Sequence, residues 1–124
     1  MPDYDSILFN PPAPFALVTL INPQNNFQIS NVPMLLDTGA DATLIPLTCA
    51  QPLDIKPENQ IWEIEAFDGS TNQSAVVRLQ MVFQGRSFRG EYLLIEQDYG
   101  IIGRNILNLL NINFDGRNLR WEIL

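Results

Sequence analysis

Residues 35–46 read Leu-Leu-Asp-Thr-Gly-Ala-Asp-Ala-Thr-Leu-Ile-Pro, and this stretch decides the fold. Two large apolar residues precede Asp37, so an apolar strand is expected to deliver its carboxylate to the floor of a buried site. Gly39 allows the chain to turn sharply beneath that carboxylate. A carboxylate in such a place is costly unless it is paired, hydrogen-bonded or protonated. The pattern therefore predicts catalysis by a pair of carboxyl groups.

A second motif follows about 60 residues later, where positions 100–107 read Gly-Ile-Ile-Gly-Arg-Asn-Ile-Leu. The two motifs, in this order and with a hairpin-like segment between them, resemble those of the retropepsins, the short retroviral-type branch of the aspartic proteases. The resemblance covers roughly residues 15–115. It implies an all-β fold, the closed β-barrel of the acid proteases, with one short C-terminal helix from about Arg104 to Leu110.

The length of 124 residues suits a single domain spanning 1–124. Aspartic proteases of the pepsin type carry two lobes, each with one Asp, whereas this chain has one Asp-Thr-Gly. The resemblance therefore implies an obligate homodimer with its site on the two-fold axis. The expected partners are a second copy and a peptide or protein substrate.

Composition excludes several other classes of function. The chain has no His and one Cys, which removes Ser-His-Asp and Cys-His catalysis and the commonest zinc ligand. We expect no metal and no cofactor, and we expect Cys49 to be a semi-buried structural residue. A net charge of −7 disfavours nucleic acid. No apolar run is long enough to span a membrane, so the prediction is a soluble, cytoplasmic protein or a part of a larger polyprotein.

Three segments flank the two motifs. Residues 1–14 are expected to form an N-terminal arm, in which Pro11, Pro12 and Pro14 oppose a helix or a central strand. The run Ile-Leu-Phe at 7–9 either pairs with the C-terminus at the dimer interface or is a plain extended arm. Residues 61–80 are expected to form the flap hairpin, turning at Asp68-Gly69, and residues 111–124 a terminal hairpin. Other strands are expected over 15–22, 27–30, 32–36, 43–46 and 87–95, with an irregular connection over 46–60.

Asp37, Thr38 and Gly39 are the candidate catalytic residues. Two Asp37 carboxyls, one from each subunit, would share one proton, because like charges at close range do not both ionise at low cost. The resemblance gives the Thr38 hydroxyl a hydrogen bond to the partner subunit and directs the Gly39 N–H at the carboxylates. The alternatives are a solvated turn aspartate and a threonine that caps its own turn.

Asp41 and Arg104 form a second pair of candidates. In retropepsins the matching residues make a structural ion pair that braces the active loop against the helix, and the fork of an arginine suits a carboxylate. The alternative is two independent surface charges. Position 42 is Ala, where many viral members have a second acidic residue, so we expect a more apolar pocket wall.

Candidate substrate-binding residues lie at the edges of the motifs and at the flap tip. The tip has one glycine, which indicates a stiffer flap than that of the viral members. The alternatives are an ordinary exposed hairpin and plain core residues. The candidates are Leu36, Ala40, Asp41, Ala42, Phe67, Asp68, Gly69, Tyr99 and Ile101.

The sequence thus predicts a dimeric aspartic endopeptidase that cleaves peptide bonds between apolar residues. A second hypothesis is a retropepsin-fold module that binds peptides or dimerises with weak or no cleavage. A third is a non-catalytic acidic β-domain whose motifs match by chance.

Overall fold

The first half of the computed structural model is built from four strands and a short 3-10 helix. The structure describes residues 2–55, 61–65 and 71–124. The elements of this half are β1 (Tyr4–Asp5), β2 (Ala13–Ile21), β3 (Gln28–Leu36), β4 (Leu44–Pro46) and a 3-10 helix (Leu47–Cys49). In β3, Val32, Met34 and Leu36 are buried and alternate with more exposed residues. This period of two places one face of the strand in the core.

The second half contains six further strands and a one-turn α-helix. They are β5 (Ile61–Glu65), β6 (Thr71–Phe83), β7 (Arg86–Ile95), β8 (Gly100–Ile102), α1 (Arg104–Leu107), β9 (Ile112–Asp115) and β10 (Arg120–Ile123). The β6–β7 turn has φ of 51° at Gln84 and 74° at Gly85. Positive φ at both central residues is the two-residue hairpin turn that matches the twist of the flanking strands.

Six of the strands close into a barrel in the order β2-β3-β8-β4-β7-β6, and β6 returns to pair with β2. Thr19 lies opposite Val82 and Ile21 opposite Gln80 at this closing seam. The strands β3 and β8 run parallel, as do β4 and β7. The structure is mostly β, and the prediction of a closed barrel is confirmed.

The core fills the barrel with large apolar side chains. Its fully buried members include Leu20, Met34, Ile45, Met81, Phe83, Ile102 and Trp121. A smaller cluster of Leu44, Val76 and Leu93 lies apart from them, with Ala42 and Ile101 packed against it. This second cluster positions apolar side chains beside the loop that carries Asp37.

The N-terminal residues differ from the predicted arm. The expectation that prolines oppose a central strand in residues 1–14 fails at the end of this segment, because β2, which has neighbours on both sides, begins at Ala13 and includes Pro14. β1 is an edge strand, and its Tyr4 lies opposite Pro14. Proline is tolerated at this place because it stands near the first residue of its strand. The segment also contacts the C-terminal hairpin of its own chain: the Tyr4 N–H donates to the Leu119 carbonyl at 2.8 Å, and the Trp121 N–H donates to the Pro2 carbonyl at 3.0 Å.

The bounds of two other elements, β3 and α1, differ from those predicted from the sequence. The separate strands expected over 27–30 and 32–36 form the single strand β3, whose pairing with β2 shifts register between Val18 and Leu20. The helix predicted to reach Leu110 ends at Leu107, and the chain continues in tighter turns, with the Leu110 N–H donating to the Leu107 carbonyl.

The strands β9 and β10 pair antiparallel within the range of the expected terminal hairpin, with Trp121 opposite Phe114. Trp121 is fully buried, its indole N–H donates to the Phe15 carbonyl at 3.0 Å, and its ring lies 5.7 Å from that of Phe83. The hairpin is thus anchored in the core of its own chain. No helix in the described ranges is long and apolar enough to cross a membrane.

Candidate active site

Asp37 stands at the end of β3, directly after the buried Leu36. Its backbone N–H donates to the Ile102 carbonyl at 3.0 Å, which extends the parallel β3–β8 pairing by one residue. Leu36 is opposite Ile102 in that pairing. The two sequence motifs, more than 60 residues apart in the chain, therefore meet beside Asp37. Asp37 itself is half-buried in the single chain.

The turn after Asp37 directs one backbone donor at its carboxylate and another at its backbone carbonyl. The Gly39 N–H donates to Asp37 Oδ1 at 2.8 Å, and the Ala40 N–H donates to the Asp37 carbonyl at 3.2 Å. A Cβ atom at position 39 would lie 3.1 Å from Asp37 Oδ1. Glycine avoids this tight contact and so suits the close approach of backbone and carboxylate.

The start of α1 braces the same loop from below. The Arg104 N–H donates to the Ala40 carbonyl at 2.8 Å and the Asn105 N–H to the Asp41 carbonyl at 3.3 Å. A Cβ atom at Gly103 would collide with the Ala42 carbonyl. The glycine before the helix lets the helix N-terminus approach the loop, where its unpaired N–H groups find acceptors.

The Arg104 guanidinium connects two points of the loop. It forms an ion pair with Asp41 and donates from Nη1 to the Thr38 carbonyl at 2.8 Å. The Asp41 side chain is 89% exposed and that of Arg104 43% exposed, so solvent screens the pair. The contact serves mainly to hold the loop in one conformation, because one planar guanidinium binds both the Thr38 carbonyl and the Asp41 carboxylate.

Thr43 is a site residue that the sequence analysis missed. It is buried, its hydroxyl donates to Asn105 Oδ1 at 2.7 Å, and the same oxygen accepts the Gly103 N–H at 3.1 Å. Sequence carried a signal for it, since a threonine within an apolar run needs a hydrogen-bonding partner once it is buried.

A pocket of about 190 Å³ opens next to the loop. Val76 and Leu93 belong to the small apolar cluster at its base, and Ala42 adds a further apolar wall. Polar groups of Asp41, Glu91 and Asn105 complete its lining. Its lining is mostly apolar with a few polar groups.

The predicted substrate-binding residues fall into three groups. Ala42 and Asp41 line the pocket, and Ile101 packs against the small cluster beneath it. Leu36 is 4% exposed and belongs to the barrel core, so the structure does not bring it to the pocket. Phe67, Asp68 and Gly69 lie outside the described residues.

Tyr99 and Ala40 take other positions around the loop. Ala40 is half-buried and accepts the helix N–H described above. Tyr99 is also half-buried, and its ring lies 4.9 Å from that of Phe9 in an edge-on contact. Thr38 is exposed, so its side chain is accessible to a second molecule.

Two buried side chains, Cys49 and Tyr92, have pKa values shifted from their ordinary values. Burial raises the pKa of the Cys49 thiol above its ordinary value. Burial likewise raises the pKa of the Tyr92 hydroxyl, which donates to the Phe88 carbonyl at 2.7 Å. Cys49 is buried within the 3-10 helix, more deeply than the semi-buried position expected.

The model of the family described as retroviral aspartyl protease matches residues 19–114. The chain belongs to this family. The matched residues include β3, the Asp37 loop, α1 and the start of the terminal hairpin.

Among solved structures, the chain is similar to the one titled EIAV protease complexed with the inhibitor HBY-793. The TM-score is 0.61 at 23% identity, over 77% of this chain and 86% of that one. At this identity the likeness establishes the fold. No curated protein matches the chain. Family and fold together point to aspartic protease activity.

Proposed function

We propose that the protein is a dimeric aspartic endopeptidase whose active site forms where two Asp37 loops meet. The observation that carries the proposal is the half-exposed Asp37 carboxylate, fixed by the Gly39 N–H at 2.8 Å on a loop braced by Arg104. One chain offers one such loop. A second copy is needed to complete a carboxyl pair, and a two-fold axis supplies an identical loop facing the first.

In the proposed reaction the pair of Asp37 carboxyls holds one proton. The ionised carboxylate takes a proton from a water molecule, while the protonated one hydrogen-bonds the carbonyl oxygen of the peptide. The water oxygen bonds to the carbonyl carbon, giving a tetrahedral intermediate. A proton then passes to the amide nitrogen and the carbon–nitrogen bond breaks. Because the pair must keep one proton, activity is expected on the acidic side of neutrality.

The edge of β9 is the proposed meeting point of the terminal sheets. Within the chain, β10 lies between the N-terminal segment and β9, with Asp3 bridged to Arg120. In the part of the chain that the structure describes, β9 has no partner strand on its other edge. Phe114 on β9 and Leu124 beyond β10 are exposed apolar residues. Such an edge is a template for pairing with a second chain.

Substrate selection is proposed to favour apolar side chains around the cleaved bond. The support is the pocket of about 190 Å³ with Val76, Leu93 and Ala42 in its walls. Asp41 is the proposed contact for the substrate backbone. Phe67 and Gly69 remain predicted flap contacts.

Replacing Asp37 tests the proposal. Asp37→Asn should lower kcat by at least about 1,000-fold at acidic pH, because a core catalytic group contributes several kcal/mol to the transition state. Asp54→Asn is the matched control, since Asp54 is exposed, has φ of 50° and lies on the 47–55 connection. Asparagine adopts positive φ readily, so this control should keep full activity.

The outcomes separate the two functions. Unchanged folding by circular dichroism with lost cleavage supports the proposal. Residual turnover within about tenfold of wild type contradicts the mechanism. A wild-type protein that binds peptides but cleaves none, under conditions where it is dimeric, favours the peptide-binding module instead.

A further inference from the structure

The N-terminal arm brings an aromatic side chain toward the loop that precedes the second motif. After β1 the chain turns, with the Leu8 N–H donating to Asp5 Oδ2 at 2.6 Å. Ile7 points outward and is 92% exposed, whereas Phe9 is half-buried. The Phe9 ring lies 4.9 Å from the ring of Tyr99 and 5.9 Å from that of Phe15. Phe9 is thus an arm residue that packs back onto the barrel.

The surface that receives Phe9 leads directly to the active loop. Phe15 lies opposite Leu35, and Leu35 lies opposite Ile101 on its other side. Their neighbours Ala16, Leu36 and Ile102 are buried in the core, so the alternation of the strands turns Phe15, Leu35 and Ile101 to the outer face. Cross-strand neighbours on one face are in contact range. Phe15, Leu35 and Ile101 therefore form a row of half-buried apolar residues next to the arm. Leu35, in the middle of this row, lies two positions before Asp37.

Tyr99 sits at the end of this row, on the loop between β7 and β8. Within the loop, the Gln97 N–H donates to the Ile95 carbonyl at 3.0 Å. The next residue, Gly100, is pressed against the Leu44 carbonyl and Met34, where a Cβ atom would collide. The backbone after Tyr99 is therefore fixed, while the ring itself depends on its side-chain neighbours for its orientation.

Phe9 supplies such a neighbour, and the arm is held at both ends. Tyr4 is paired with Pro14, and its N–H donates to the Leu119 carbonyl at 2.8 Å. Both ends of the segment carrying Phe9 are thus fastened to the barrel or to the terminal hairpin. An edge-on aromatic pair at this centroid distance is favourable beyond the area it buries.

We propose that Phe9 is a positioning residue for substrate selection: it holds the Tyr99 ring, and that ring contacts the substrate near the Asp37 loop. The inference rests on the proposed protease function and deepens it. The substrate group that Tyr99 would receive is a large side chain, aromatic above all, next to the cleaved bond. A small substrate side chain at this position does not reach the Tyr99 ring. The rate of cleavage of such a substrate therefore does not depend on the orientation of the ring. Phe9 acts through Tyr99 and affects selectivity more than the chemical step.

The test uses three peptides that differ only in the residue next to the cleaved bond, which is Phe, Leu or Ala. Phe9→Ala should lower the ratio of kcat/KM for the Phe peptide over that for the Ala peptide by about twofold to tenfold, as expected for the loss of one aromatic pair. The change should lie mainly in KM, and the pH profile should keep its shape. Phe9→Tyr keeps the ring and should restore the wild-type ratio.

Two further variants make the test specific. Ile7→Ala, on the same arm but 92% exposed, is the matched control and should leave the ratio unchanged. Tyr99→Ala alone should shift the ratio as Phe9→Ala does, and adding Phe9→Ala to it should change the ratio little further, because the two act as one unit.

The outcomes of this test are distinct from those of the proposed function. A wild-type protein that cleaves none of the peptides contradicts the protease function and the inference with it. If the wild type cleaves and Phe9→Ala lowers all three kcat/KM values equally, or if its effect adds fully to that of Tyr99→Ala, the inference is overturned and the protease function stands.

Discussion

The Thr43 hydroxyl donates a hydrogen bond to Asn105 Oδ1 at 2.7 Å, across 62 residues of chain. The same oxygen accepts the Gly103 N–H at 3.1 Å. The loop after Asp37 and the start of the helix are therefore joined by two further contacts, the buried one to Gly103 and the partly buried one to Asn105, in addition to the exposed Asp41–Arg104 ion pair. A buried contact is screened less by water than an exposed one. Thr43 thus holds the two motifs in register.

Replacing Thr43 by the isosteric valine should destabilise the fold. Thr43→Val removes the donor to Asn105 and leaves the Gly103 N–H without its acceptor, which costs about 1–3 kcal/mol. Urea unfolding measures the loss. Thr19→Val is the matched control, because Thr19 lies in β2 and its hydroxyl makes an exposed contact of 3.3 Å with Ser30. Equal losses in the two variants would contradict the role given to Thr43.

Arg104→Lys should lower activity far more than stability. Lysine keeps the charge but lacks the planar fork that reaches both Asp41 and the Thr38 carbonyl. The exposed ion pair is worth at most about 1 kcal/mol to the single chain, whereas a small displacement of the loop affects catalysis strongly. Arg86→Lys, at the exposed start of β7, is the control. A variant with wild-type kcat/KM would show that the fork is dispensable.

Trp121→Ala should destabilise each chain by about 3–5 kcal/mol, as expected for a fully buried aromatic side chain. Truncation after Phe114 should unfold the chain for the same reason, because Trp121 packs on Phe83 and bonds the Phe15 carbonyl. Leu109→Ala, at a residue 69% exposed, should change the unfolding free energy little. Thermal unfolding distinguishes the variants. A truncated chain that stays folded would show that the hairpin is not part of the core.

Cys49 should make stability depend on alkaline pH. Because burial raises the pKa of its thiol in the folded chain, the folded chain keeps a proton that the unfolded chain loses. The contribution is complete below the unfolded pKa and is lost as pH rises through the raised folded value. Urea midpoints between about pH 7 and pH 10 should therefore fall more steeply for wild type than for Cys49→Ala. Tyr92 is present in both proteins, so the difference isolates Cys49. Parallel curves would refute this.

The sequence predicted the elements whose residues carry strong local signals. The two large apolar residues before Asp37 predicted a strand that leads to it, and β3 ends at Leu36, directly before Asp37. Local signals failed where a distant contact decides the structure. Pro14 argued against a strand at the start of β2, yet pairing with Tyr4 places it in one.

The same limit applies to the site. The Asp-Thr-Gly motif identified Asp37, but the contact of Phe9 with Tyr99 joins residues 90 positions apart and leaves no pattern in either segment. Leu36 was expected at the pocket because it borders the motif. Strand alternation turns it into the core instead, since its neighbour Leu35 faces outward.

The central claim is that two chains contribute one Asp37 each to a single site. The most direct measurement adds increasing amounts of Asp37→Asn protein to a fixed amount of wild type, at concentrations where dimers form and exchange. Mixed dimers then take up wild-type chains, so activity should fall to about one half at equal amounts and to about one tenth at a ninefold excess. Activity that stays constant at every excess of the variant would show that a single chain carries the whole site and would contradict the account.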